Sequence, residues 1–167
     1  YPAIFACPGG SVTLNDVTAT STEAVLSVSN STVVVNGGNF STTGTKSCFV
    51  NSYANLTINK GTTTEGTFAS EGASCIQNSW GRVEINGGTI TSDADCTIKN
   101  RGSLRMNGGT VATSNAEGTV IDCTGNFGDT WINGGTIKGG KDGILLKDLG
   151  SSGVTLKQAT FEDNTQS

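Results

Sequence analysis

Asn86-Gly87-Gly88-Thr89-Ile90 is one of four near-copies of a single pentapeptide, and their spacing decides the fold. The others are Asn36-Gly37-Gly38-Asn39-Phe40, Asn107-Gly108-Gly109-Thr110-Val111 and Asn133-Gly134-Gly135-Thr136-Ile137. Degraded copies stand at Asn15-Asp16-Val17-Thr18-Ala19, Asn59-Lys60-Gly61 and Lys157-Gln158-Ala159-Thr160-Phe161. The anchors at 15, 36, 59, 86, 107, 133 and 157 are separated by 21, 23, 27, 21, 26 and 24 residues. A period near 24, with one short strand and one glycine turn per copy, marks a chain of stacked coils.

Each copy opens on an apolar-polar-apolar strand just before the Asn. These are Val12-Thr13-Leu14, Val33-Val34-Val35, Leu56-Thr57-Ile58, Val83-Glu84-Ile85, Leu104-Arg105-Met106 and Val154-Thr155-Leu156, with Thr130-Trp131-Ile132 a weaker match. Period-two alternation turns the first and third residues inward and the middle one to solvent. Glycine then supplies the positive φ of a tight corner. A further inward position follows at Ala19, Phe40, Phe68, Ile90, Val111, Ile137 and Phe161, delayed in the third copy by a Thr/Gly insertion over 62–67. Eight residues before the opening Val33, Leu56, Val83 and Leu104 of these strands stand Val25, Cys48, Cys75 and Cys96, a column that the longer late copies continue with Val120 and Ile144. These columns predict an all-β chain, a right-handed parallel β-helix of about seven coils. At roughly 4.8 Å per coil the rod would be on the order of 30–35 Å long. Residues 1–9 read as an N-terminal extension or partial cap and residues 10–167 as the β-helix domain.

Composition sets the outer bounds. About half the chain is Gly, Ser, Thr and Asn, yet the net charge is only −4 and apolar residues fall at regular offsets, which argues for order. The mild acidic balance gives no footprint for nucleic acid, and no apolar run approaches a membrane span. There is no His, which removes the usual general base and the commonest metal ligand. Tyr1 in place of an initiator Met reads as the start of a processed or excised segment.

Asn15, Asn36, Asn59, Asn86, Asn107 and Asn133 form the most regular column and predict a structural ladder in which each amide satisfies the next coil's corner. Thr18, Asn39, Thr67, Thr89, Thr110, Thr136 and Thr160 form a second outward column. A single Thr rank suits a strand surface, whereas ice binding generally needs two parallel ranks. Cys48, Cys75 and Cys96 are expected as small buried hydrophobes; adjacent coils also leave a Cys48–Cys75 or Cys75–Cys96 bridge open on Cα distance alone. No metal site, cofactor or catalytic residue is assigned, since the outward carboxylates fall in turns or beside a cation. Glu84 is expected to pair with Arg105 one coil on. Tyr53 and Trp80 hold one place in successive coils, two residues after Asn51 and Asn78. With Trp131 they are the candidate glycan-contact aromatics, and Phe127 is a further aromatic expected to be exposed. Asn30, Asn39 and Asn55 head N-glycosylation sequons, which chance alone produces often in so Asn- and Thr-rich a chain.

The Gly-Gly-(Thr)-(Ile/Val) turns and the closing Phe161-Glu162-Asp163-Asn164 resemble the repeats of polymorphic outer-membrane adhesins. The architecture is also similar to that of pectate-lyase-like enzymes, without a catalytic motif of theirs. The adhesin resemblance implies an extracellular or cell-surface location and an adhesive or structural, non-enzymatic role. Expected partners are another copy stacked head to tail, or a host or cell-surface glycan or protein; a polysaccharide-degrading domain and an ice-binding protein are the alternatives.

Overall fold

The computed structural model describes residues 2–6, 8–62 and 65–165, and it is a parallel β-solenoid of seven turns. Three seven-stranded parallel sheets run its length. The first contains Ile4–Ala6, Leu26–Ser29, Phe49–Ser52, Ile76–Ser79, Cys96–Asn100, Thr119–Asp122 and Asp142–Leu145. The second contains Ser11–Asn15, Thr32–Asn36, Asn55–Asn59, Arg82–Ile85, Ser103–Met106, Thr130–Ile132 and Val154–Leu156. The third contains Thr18–Ser21, Asn39–Thr42, Thr67–Ser70, Thr89–Ser92, Thr110–Thr113, Gly135–Lys138 and Ala159–Glu162. Each coil contributes one strand to each sheet, so every strand between the first and last turns pairs with the chain one turn earlier and one turn later.

The register follows the expected columns. In the second sheet Val33 pairs with Leu56, Leu56 with Val83, and Val83 with Leu104. In the third, Phe40, Phe68, Ile90, Val111 and Ile137 align in turn. All of these side chains are buried, and Phe40, Phe49 and Phe68 pack ring to ring with centroids 5.4–5.6 Å apart. Ile4–Ala6 is the first strand of the first sheet, Ile4 pairing with Leu26, and its alternation buries Ala6.

The second glycine of each Asn-Gly-Gly is required twice over. Gly38, Gly88, Gly109 and Gly135 have φ between 83° and 97°. A Cβ at Gly109 would also lie 2.7 Å from the carbonyl oxygen of Gly88 in the preceding coil. Only a residue without a side chain lets the corners stack this closely.

Two asparagine ladders hold the coils together. The outer one is the column read from the sequence. Asn36 donates to Asn15, Asn59 to Asn36, Asn86 to Asn59, Asn107 to Asn86 and Asn133 to Asn107, all at 2.7–2.8 Å. Its rungs run amide to amide along a half-exposed edge, with no bond to a corner carbonyl among the described residues. That task falls to an inner ladder, Asn51, Asn78 and Asn100, whose members are fully buried. Asn51 donates to Asn78 at 2.8 Å and Asn78 to Asn100 at 2.7 Å. The same amides reach the corner carbonyls of Ala54 and Gly81 at 3.1 and 3.2 Å.

The cysteine column needs a correction. Phe49 pairs with Ile76 and Ile76 with Ile98, which aligns Cys48 and Cys75 with Thr97, not with Cys96. Cys96 pairs with Thr119 and is half-buried, its thiol 3.0 Å from the Ser74 hydroxyl. Ile144 likewise aligns with Ile121, one place beyond the Val120 position. The cause is local: Asn100 precedes Leu104 by four residues, whereas Asn78 precedes Val83 by five, so counting back eight residues overshoots by one.

The two ladders should differ sharply in thermodynamic weight. Asn78→Ala leaves buried carbonyls without donors and should lower unfolding free energy by about 2–3 kcal/mol, while Asn107→Ala, on the wet edge, should cost under about 1 kcal/mol. Chemical denaturation of both variants checks this, and equal losses would contradict the division of roles.

Candidate functional site: an aromatic column on one corner

The corner between the first and second sheets is the place the inner ladder clamps, and it displays the largest exposed side chains. Tyr53 and Trp80 occupy its tip in successive coils, at φ 50° and 62°. Asn30 holds the same place one coil earlier at φ 45°. Left-handed backbone at a bulky aromatic is unfavourable, and asparagine or glycine would take the position more readily. The next coil, through Arg101-Gly102, is one residue short and carries no aromatic there. Phe127, from the longer corner after Asp122, fills the gap and stacks on Trp80 at 4.2 Å between centroids and 20° between planes. Tyr53 lies on the other side of Trp80 at 6.3 Å and 4°. The three rings are 63, 51 and 66% exposed for Tyr53, Trp80 and Phe127.

Phe127 is held by its own small scaffold. Asn126 is buried, donates to the Thr130 hydroxyl at 3.3 Å and accepts from the amide of Gly128 at 3.1 Å. Thr130 also accepts from Asn100 at 3.2 Å, which ends the inner ladder. Aromatic display and interior amide bonding therefore meet at one residue.

Polar groups flank the column on both sides. Beside Trp80 and Phe127 lie Arg101 and Ser103, with Arg101 facing Asp122 at 3.7 Å. On the other flank Tyr53 walls a depression of about 300 Å³ together with Gly9, Gly10, Asn30, Ser31, Thr32 and Asn55. The backbone around this depression is spent on coil pairing: Gly9 donates to Asn30, Thr32 to Gly10 and Asn55 to Ser31.

Trp131 does not join the column. It sits mid-strand on the second sheet, half-buried, with the Arg105 guanidinium over its ring at 5.2 Å from the centroid. This placement also undoes the expected Glu84–Arg105 pair. The two residues are register neighbours, yet Glu84 bonds Arg82 on its own strand at 2.8 Å and accepts from Asn107 at 3.2 Å. Arg105 is drawn to the indole instead, where a cation gains from the ring's negative face.

The remaining candidate residues are placed as follows. The Thr column lies on the third sheet in unbroken register from Thr18 to Thr160. A second outward rank runs beside it through Thr20, Ser41, Ala69, Thr91, Ala112, Lys138 and Glu162, which the single-rank reading missed. Two alanines and the Lys138–Glu162 pair at 3.4 Å interrupt its hydroxyls. The sequon residues Asn30, Asn39 and Asn55 are all exposed. Cys48, Cys75, Cys96 and Cys123 are free thiols, and Cys7 lies outside the described residues.

Comparison with protein-family models, with curated proteins and with solved structures found no match to this chain.

Burial pushes the Cys75 thiol well above its ordinary value, and the Cys48 thiol beside it adds to the shift. A raised folded value means that stability is complete below the unfolded thiol's range and is lost as pH rises, because the unfolded chain releases the proton first. Unfolding free energy should therefore fall above about pH 8.5, and Cys75→Ala should flatten that decline. Denaturation at pH 7.5 and 9.5 measures it; identical slopes in the two proteins would refute the assignment to Cys75.

Proposed function

We propose that this chain is a rigid, non-catalytic adhesive solenoid acting outside the cell, and that it binds carbohydrate through the Tyr53–Trp80–Phe127 column. One observation carries the reading: three large aromatic side chains sit side by side on a corner and stay more than half exposed. Two of them hold backbone conformations that a bulky residue adopts only at a cost of order 1 kcal/mol or more. Folding gains little from an exposed ring, so a strained, solvent-facing aromatic column fits contact with a ligand better than a part in the core.

The surroundings favour a sugar over an apolar partner. A lipid or protein groove would continue the aromatic surface with aliphatic groups. Here the rings are bordered by Asn30, Asn55, Thr32 and Ser103, which donate and accept hydrogen bonds as sugar hydroxyls require. Trp80 is stacked between its two neighbours, so the column offers the free face of Tyr53 to the C–H face of a pyranose and the edges of Trp80 and Phe127 to further units, while rim hydroxyls reach the flanking groups. The solenoid supplies rigidity, since each coil is locked to both neighbours and the column cannot collapse. An adhesive role is also what the resemblance to surface-displayed repeat proteins implies.

Trp80→Gly is the informative variant, because glycine accepts φ 62° without strain and the corner should fold as before. Its binding to immobilised polysaccharides should fall tenfold or more, equivalent to about 1.4 kcal/mol. Phe127→Ala should behave alike, and Trp131→Ala, which removes no ring of the column, should leave binding unchanged. Absence of binding to any polysaccharide in a broad panel, or full binding by Trp80→Gly, would overturn the proposal.

A further inference from the structure

The depression beside Tyr53 combines an aromatic wall with amides that folding has left unspent. Every asparagine of the two ladders is committed to coil pairing. Asn30 and Asn55 are the contrast: both are exposed, both line the depression, and neither side chain has a hydrogen-bond partner among the described residues. Thr32 adds a free hydroxyl on the same wall. Tyr53 stacks on Trp80 of the following coil and borders the depression on the side of the preceding coils, so it belongs to both.

Charge narrows the ligand. No Asp, Glu, Lys or Arg lines the depression among the described residues. Arg82, the register neighbour of Asn55, is held by Glu84 at 2.8 Å, and Arg101 at the far end of the column faces Asp122. An anionic sugar would therefore give up hydration without gaining a counter-charge. A neutral sugar presents hydroxyls, or an acetamido group, that pair with amides and a hydroxyl in both directions. The volume, about 300 Å³, lies at the small end of ligand pockets and suits a single sugar unit with its neighbour outside.

We infer that this depression is a pyranose subsite for a neutral oligosaccharide, with Tyr53 packing against the ring and Asn30 and Asn55 hydrogen-bonding its hydroxyls. The inference rests on the carbohydrate reading above and adds a second contact region to it. The bound chain runs along the corner, one unit in the depression and the following units against the edges of Trp80 and Phe127.

The test is calorimetric titration of the protein, produced in a bacterial host so that Asn30 and Asn55 are unmodified. The ligands are short neutral oligosaccharides (cello-, xylo- and chito-tetraose), with a uronate tetramer as contrast. Asn30→Gly suits its φ of 45° and removes one amide without strain. Asn55→Thr keeps a residue fit for the start of a strand and removes the other. Each should weaken binding of the preferred neutral tetramer about tenfold with the unfolding midpoint unchanged, and the uronate should bind worst. Wild-type affinity in both variants, alongside lost binding in Trp80→Gly, would overturn the subsite and leave the carbohydrate function standing. Preference for the uronate would overturn its neutrality. Failure of the wild-type protein to bind any of the four would remove the subsite, and failure on the wider polysaccharide panel would remove the function with it.

Discussion

A coil that turns three sharp corners in some two dozen residues has to find partners for the peptide groups that each corner takes out of regular pairing. The inner asparagine ladder meets that constraint where it is severest, inside the corner between the first and second sheets. Asn51 and Asn78 each bond the next amide in the stack and also a carbonyl of their own corner. A buried, unpaired carbonyl there would cost as much as several apolar contacts contribute. The glycine corners solve a related problem sterically, through close approach and positive φ, and the outer ladder secures the wet edge.

Display on the surface depends on this interior arrangement. Because the same corner is clamped in successive coils, residues at its tip come into column without being near in sequence. Tyr53 and Trp80 are 27 residues apart, and their rings lie parallel 6.3 Å apart. Where one coil loses a residue, the column would break at Arg101-Gly102. The longer next corner restores it, since Asn126 and Thr130 fold the loop so that Phe127 reaches back onto Trp80. An exposed aromatic row is thus assembled from three coils and depends on the packing of a fourth.

The regular strands were legible from residue pattern alone. Alternation in Val33-Val34-Val35 or Val83-Glu84-Ile85 states which side chain is inward, and a repeat of the pattern aligns it with the next coil. The outer asparagine column was equally plain, although its bonds go from amide to amide rather than to corner backbone. The inner ladder carried a readable signal too: Phe49-Val50-Asn51, Ile76-Gln77-Asn78 and Ile98-Lys99-Asn100 each put Asn two places after a buried residue. The shortened corner at Arg101-Gly102 obscures it, because a fixed count back from Leu104 lands on Cys96 and puts Asn100 one place out of line with Asn78.

The order of the chain thus settled the solenoid, its seven turns and its core columns, because alternation and repeat length are local properties that stacking only copies. Tertiary structure decided the site. Which aromatics meet depends on corner lengths and on competition for each side chain, and neither is written into a repeat. Trp131 sits in a regular strand column but is taken by Arg105, whereas Phe127 belongs to no column and completes the stack. Side-chain partnership at a corner is fixed by distances across coils, and those exist only once the coils have stacked.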